Sequence, residues 1–317
     1  MFTLFLDPVF ERHKTGRHPE SPARLAAVRK KFTPERIQQL GQLGPLRSAT
    51  REEAERVHEP DYLSRLERTA AQGGGRLDAD TVMSAESYDV ALKAAGTAIA
   101  AVDSVLSGES TRALVLARPP GHHALAGDAM GFCLLNNVAI AAAHARSAHR
   151  LDRVLIVDFD IHHGNGTQAI FDRDGQVFFF SSHRFPFYPG TGDNNETGSG
   201  PGLGATFNLP IAFGTSRPDY LQAFHRMLVD AAARCRPQLI LVSAGFDAHR
   251  DDPIGNLGLE TEDFGKLSRM VCDVADSDCD GKLVSLLEGG YHVDRLAECV
   301  DLHATELARN NAKPFEL

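Results

Sequence analysis

Short runs of apolar, often β-branched residues recur along the chain: TLFL near the start, ALVLA at 113–117, VLIVDFD at 154–160, VFFFSS at 177–182, LILVSAGFD at 239–247 and LVSLLEGG at 283–290. Their continuous rather than alternating hydrophobicity predicts strands buried on both faces. Between them, Ala-rich segments at 88–106, 136–148 and 218–235 repeat apolar residues at helical spacing. Alternating strand and helix predicts an α/β fold, a parallel sheet with helices on both faces. In such sheets the ligand site lies beyond the carboxyl ends of the strands. Five polar clusters follow apolar runs here, namely RPPGHHA, DFDIHHGNGT, SSH, GFDAHRDDP and EGGY, so five loops are expected to converge at one end of the sheet. The Gly-rich breaks at 70–76 and 188–204 are too short for linkers, and residues 1–317 read as one domain.

The densest cluster is Asp158-Phe159-Asp160-Ile161-His162-His163. In an extended chain the period of two puts Asp158, Asp160 and His162 on one side. Two carboxylates and an imidazole in a buried setting are costly unless a cation neutralises them. Asp247, directly after an apolar run, is the expected third ligand beside Asp160 and His162. His249, Asp251 and Asp252 lie further along that loop and read as solvated residues. Two carboxylates and one imidazole leave coordination positions open, the catalytic pattern. Zinc is the default, and oxygen-rich ligation also suits Fe2+ or Mn2+.

A metal-activated water needs a base, and His122-His123 supplies two imidazoles. Asp158 is a natural partner for His122 and Asn165 for His123, an asymmetry that would separate their basicities. On this reading His122 is the base. Tyr291, presented by Gly289-Gly290, supplies a phenol to donate to an oxyanion.

Composition narrows the partners. The net charge of −9 and the absence of a Lys/Arg run exclude a protein that grips nucleic acid by its phosphates. No long uncharged apolar run marks a membrane span, and the N-terminal stretch lacks a basic leader, so a cytoplasmic protein is expected. Five widely spaced cysteines without a CxxC pair predict reduced, buried thiols. Oligomeric state leaves no mark on the sequence.

RPPGHHA, GFCLLNN (131–137), DFDIHHGNGTQ, YPGTG (188–192), SAGFDAHRDDP and LEGGY together resemble the histone deacetylase, acetoin-utilisation and acetylpolyamine amidohydrolase superfamily, in matching order from about residue 15 to Tyr291. The resemblance implies the arginase/deacetylase fold with a central eight-stranded parallel sheet, and zinc-dependent hydrolysis of N-acyl amides such as acetyl-lysine. It places the zinc ligands at Asp160, His162 and Asp247, and moves the general base from His122 to His123. Tyr291 becomes the transition-state donor, and Gly131, Phe132 and Tyr188 line the channel. A structural K+ is implied at Asp158, Asp160, His162, Ser181 and Ser182. Asp80 resembles a rim residue that binds the substrate backbone, and Asn165 points to the class II and bacterial branch. Polyamine-selective members carry a glutamate where Ile254 stands, which favours acyl-lysine over acetylpolyamines. Two other readings stand beside this one: an amidohydrolase for a small acyl-amine, and a non-catalytic module that binds acyl groups.

Overall fold

The computed structural model describes residues 1–309; the last eight residues of the expected 1–317 domain lie outside the described residues. Ten strands follow in chain order: β1 (Phe2–Leu6), β2 (Gln42–Leu43), β3 (Gly74–Arg76), β4 (Val82–Ser84), β5 (Arg112–Leu116), β6 (Val154–Asp158), β7 (Val177–Arg184), β8 (Thr206–Ile211), β9 (Leu239–Ala244) and β10 (Leu283–Leu287). Eight form one sheet in the order β2-β1-β5-β10-β9-β6-β7-β8, with every pairing parallel, and β3 and β4 make a separate antiparallel pair. This is the central eight-stranded parallel sheet expected above.

All six apolar runs are strands of the sheet. The four central ones, β5, β10, β9 and β6, are buried at every residue, which requires cover on both faces. Helices Ser87–Leu106 and Asn137–His149 pack on each other in one group; Pro22–Lys31, Thr261–Asp278 and Val293–Ala308 form another. The two strands that the apolar runs did not announce are the edges. Both residues of β2 are exposed, and β8 carries Pro210, so neither shows the continuous hydrophobicity of a central strand. The Gly-rich segment at 70–76 ends in the hairpin strand β3 rather than a linker.

β6 and β9 stop sooner than their apolar runs, at Asp158 and Ala244, so Asp160, His162 and Asp247 all lie in the loops beyond. The five free cysteines are buried. Among the described residues, no helix is long and apolar enough to cross a membrane.

Candidate active site

Two loops, at the carboxyl ends of the neighbouring strands β6 and β9, bring Asp160, His162 and Asp247 together, with one ligand atom of each within 4.8 Å of the others. His162 Nδ1 lies 3.0 Å from Asp160 Oδ1 and 3.1 Å from Asp247 Oδ2. The second oxygen of each carboxylate is held by backbone: Gly289 N–H donates to Asp160 Oδ2 (2.8 Å) and Ile161 N–H to Asp247 Oδ1 (3.0 Å). Asp158 is not on a shared strand face with them, contrary to the period-two expectation. The chain turns after β6, with Asp160 N–H donating to Asp158 Oδ1 (3.1 Å) and His162 N–H to Asp160 Oδ1 (2.9 Å).

These residues fit a divalent cation. Asp247 Oδ2 is buried without a hydrogen-bond partner beyond its ion-pair contact with His162 Nδ1, so a lone pair is available at the centre of the cluster. Burial, with the Asp160 carboxylate beside it, pushes Asp247 up to about 7, the mark of excess buried negative charge. A Cβ at Gly289 would sit 2.2 Å from Asp247 Oδ2 and 2.5 Å from Asp160 Oδ2, so only glycine lets the loop after β10 pass the two carboxylates.

The two imidazoles of the β5 loop have different partners. His122 Nδ1 donates to Asp158 Oδ2 at 2.9 Å, and His123 Nδ1 to the amide oxygen of Asn165 at 2.7 Å. A carboxylate or amide oxygen can only accept, so each ring carries its proton on Nδ1 and His123 keeps Nε2 as a bare lone pair. Burial disfavours charge on both rings. At His122 the carboxylates of Asp158 and Asp160 outweigh it and raise the pKa to about 10. At His123, burial and the neighbouring His122 and His162 take it well below 6.5. His123 is therefore neutral at pH 7, and His122 is its charged neighbour.

His123 and His162 also line a cavity of about 210 Å³ together with Asp80, Gly131, Phe132, Phe187, Tyr188, Ile254 and Tyr291. Phe132 meets the Tyr291 ring edge-on at 5.7 Å, and Tyr188 meets His123 the same way at 5.4 Å. Gly131 has φ +55°, and a Cβ there would lie 2.3 Å from His123 Cδ2. Tyr188 and Ile254 are 38% and 36% exposed, which places them at the mouth. Asp80 is half-buried and accepts from Thr81 Oγ1 at 3.0 Å. Ser181 stands opposite Asp158 in the β6–β7 register, its hydroxyl 2.9 Å from His183 Nδ1, while Ser182 Oγ lies 3.0 Å from the Tyr220 hydroxyl.

Residues 18–307 match the histone deacetylase domain. The chain belongs to the histone deacetylase family. It is 40% identical over 277 residues to a histone deacetylase-like amidohydrolase of Pseudomonas aeruginosa, covering 86% of this chain and 72% of that one. It is 39% identical over 308 residues to polyamine deacetylase HDAC10 of Homo sapiens, covering 93% of this chain but 45% of that longer protein. The crystal structure of the HDA15 HD domain superposes with a TM-score of 0.88 at 32% identity, over 99% of this chain and 90% of that one.

In this histone deacetylase-family chain four residues around the site escaped sequence reasoning. Phe187 lines the cavity and stacks on His162 at 5.2 Å and 17°, yet it sits beside Tyr188 in a Pro-rich loop without periodicity. Glu288 is buried and accepts from Gly121 N–H (2.6 Å), His122 N–H (3.2 Å) and Ser243 Oγ (3.0 Å), tying the histidine loop to the end of β10. Arg24 donates to the carbonyls of Glu288 and Gly290, both at 2.6 Å, and its guanidinium lies 4.9 Å from the Tyr291 ring centroid. Arg24 is itself paired with buried Glu20 at 3.1 Å. Asp252 was expected to be solvated and is instead buried, as is His249. Its Oδ1 accepts from Ile254 and Gly255 N–H, its Oδ2 from Tyr291 and His292 N–H, all between 2.7 and 3.2 Å. One carboxylate thus joins the loop that carries Ile254 to the loop that presents Tyr291. Asp251 alone fits the solvated reading, pairing with Arg295 at 2.9 Å on the surface.

Asp252→Ala strands these four N–H groups. The expected result is a loss of about 2–4 kcal/mol of stability, read as a lower thermal midpoint, and a fall in kcat larger than any rise in KM. An unchanged midpoint and kcat would show that the two loops hold their places without it.

Proposed function

We propose that this chain hydrolyses N-acyl amides, with acetyl-lysine-type substrates preferred, using Asp160, His162 and Asp247 as ligands of a divalent metal. The observation that carries this reading is a cation-demanding cluster that shares His162 with a narrow aromatic slot, beside two imidazoles tuned in opposite directions. Zinc suits the donor set, with Fe2+ as the alternative; such an ion supplies a Lewis acid for the acyl carbonyl and acidifies water.

The chain's own residues do the rest. His123 Nε2 takes a proton from the attacking water while Asn165 holds the ring's other nitrogen. His122, held as a cation against Asp158, adds positive charge where negative charge develops. The Tyr291 hydroxyl donates to the oxyanion, and its raised pKa, caused by burial, keeps it protonated. When the C–N bond breaks, the proton on His123 passes to the leaving amine and the acyl group leaves as a carboxylate. Phe132, Phe187 and Tyr188 suit the aliphatic stem of a lysine, and Asp80 at the rim suits its backbone N–H. The oxygen donors of Asp158, Ser181 and Ser182 beside β6 and β7, with main-chain oxygens of Asp160 and His162, suit a structural K+. The domain reading stays as one catalytic unit.

Tyr291→Phe tests the oxyanion role. Its kcat on an acetyl-lysine peptide is expected to fall about 10²–10³-fold with metal content unchanged; undiminished turnover would remove Tyr291 from the mechanism and favour a module that only binds acyl groups.

A second reading, hydrolysis of small acyl-amines, is favoured by the likeness to a protein named polyamine deacetylase. Ile254 argues against it, because this apolar residue at the mouth adds no charge for a distal ammonium beyond the Asp80 carboxylate. Turnover on an acetyl-lysine peptide is expected to exceed that on acetylputrescine in kcat/KM by about tenfold or more, the scale of one lost charged contact. Faster hydrolysis of acetylputrescine reverses the assignment.

A further inference from the structure

Among the described residues, two clusters of three metal-ligating side chains have their ligand atoms within 4.8 Å of one another. One is the candidate active site. The other, Asp103 with His144 and His149, is built from two packed helices, Ser87–Leu106 and Asn137–His149, and shares no residue with the first. We propose that it is a second, non-catalytic site for a first-row transition ion such as Zn2+ or Ni2+, which staples the carboxyl-terminal ends of these helices.

The geometry converges on one point. His144 Nε2 lies 2.7 Å and His149 Nε2 2.8 Å from the same oxygen, Asp103 Oδ1, with the rings edge-on at 5.6 Å. Donors around such an ion stand roughly 3.0–3.4 Å apart, given bond lengths of about 2.0–2.2 Å. A cation therefore replaces two N–H···O hydrogen bonds after an opening of a few tenths of an ångström. That movement is available. Asp103 is 46% exposed in its side chain, and His149 ends its helix before left-handed Arg150. His144 Nδ1 is buried without a partner, so no second hydrogen bond pins its ring; when the ion takes Nε2 the proton moves to Nδ1, which leaves one unsatisfied buried N–H as the cost of binding.

Electrostatics favour the ion. All three ligands lie in or near the last turns of their helices, where unpaired carbonyls concentrate negative charge. Two charges that act on the cluster offset each other: Arg47, which interacts with Asp103, forks onto Glu53 at 2.7 and 2.8 Å, and Glu53 interacts with His144. Two imidazoles and one carboxylate select borderline ions over Mg2+ or Ca2+, and the exposed edge of Asp103 leaves room for water to complete the coordination.

The test is calorimetric titration of Zn2+ into the metal-loaded enzyme at pH 7.5, for the wild type and for His149→Ala and Asp103→Asn. The wild type is expected to take up one equivalent beyond its catalytic metal, with a rise of a few degrees in thermal midpoint; both variants lose that equivalent and the rise. Both keep the first equivalent and their acetyl-lysine turnover, which separates failure here from failure of the active-site reading. No additional equivalent in the wild type, or its persistence in either variant, overturns the proposal.

Discussion

His123→Ala lowers kcat for an acetyl-lysine peptide by about 10²–10⁴-fold, the range for removing a positioned general base, while thermal stability and metal content change little. The modest structural effect follows from its partner. Asn165 is neutral and only partly buried, so its amide oxygen is hydrated cheaply once the imidazole is gone. His122→Ala behaves differently because it strands the fully buried Asp158 carboxylate, so it lowers stability as well as kcat. Steady-state kinetics and thermal melts on the two variants separate these outcomes. If His122→Ala abolishes turnover and His123→Ala retains it, the base is His122.

Asp247→Ala is expected to leave the purified protein with less than one equivalent of divalent metal after dialysis, and to cut acyl-amide turnover about 10³-fold or more. Several kcal/mol of transition-state stabilisation are attributed to a metal of this kind, and each 1.36 kcal/mol is tenfold in rate. Asp247 is the informative ligand because its Oδ2 has no partner beyond His162 Nδ1 to satisfy. The variant also removes the acceptor for Ile161 N–H, so the fold is checked by circular dichroism alongside elemental analysis. Full metal occupancy in Asp247→Ala would mean that the ion is held elsewhere.

Much of the sheet was legible because its central strands are buried on both faces and so read as unbroken apolar runs. β2 and β8 were not, since an edge strand needs less hydrophobicity and tolerates the exposed pair Gln42-Leu43 or Pro210. Of the nine residues around the cavity, seven carry a polar, aromatic or glycine signature; apolar Ile254 was reached through the family resemblance, and Phe187 was hidden beside the more conspicuous Tyr188. Asp252 was misread for a different reason. A carboxylate in an Asp-Pro turn resembles a solvated loop residue until the N–H groups of Tyr291 and His292, about 40 residues away, arrive to be capped.

By itself the sequence determined which residues are present at the strand ends and what chemistry they carry, because buried strands and Gly-rich, charged loops leave local patterns. It could pair Asp158 with His122 and Asn165 with His123 as natural partners, but not say which imidazole ends up neutral. The tertiary structure decided that, since a pKa depends on burial and on charges brought in from other loops. It also decided that Asp158 stands apart from the ligand cluster, through the turn after β6. Asp160, His162 and Asp247 form a site only because β6 and β9 lie side by side in the sheet, an adjacency of strands that are about 85 residues apart in the chain and that no local pattern records.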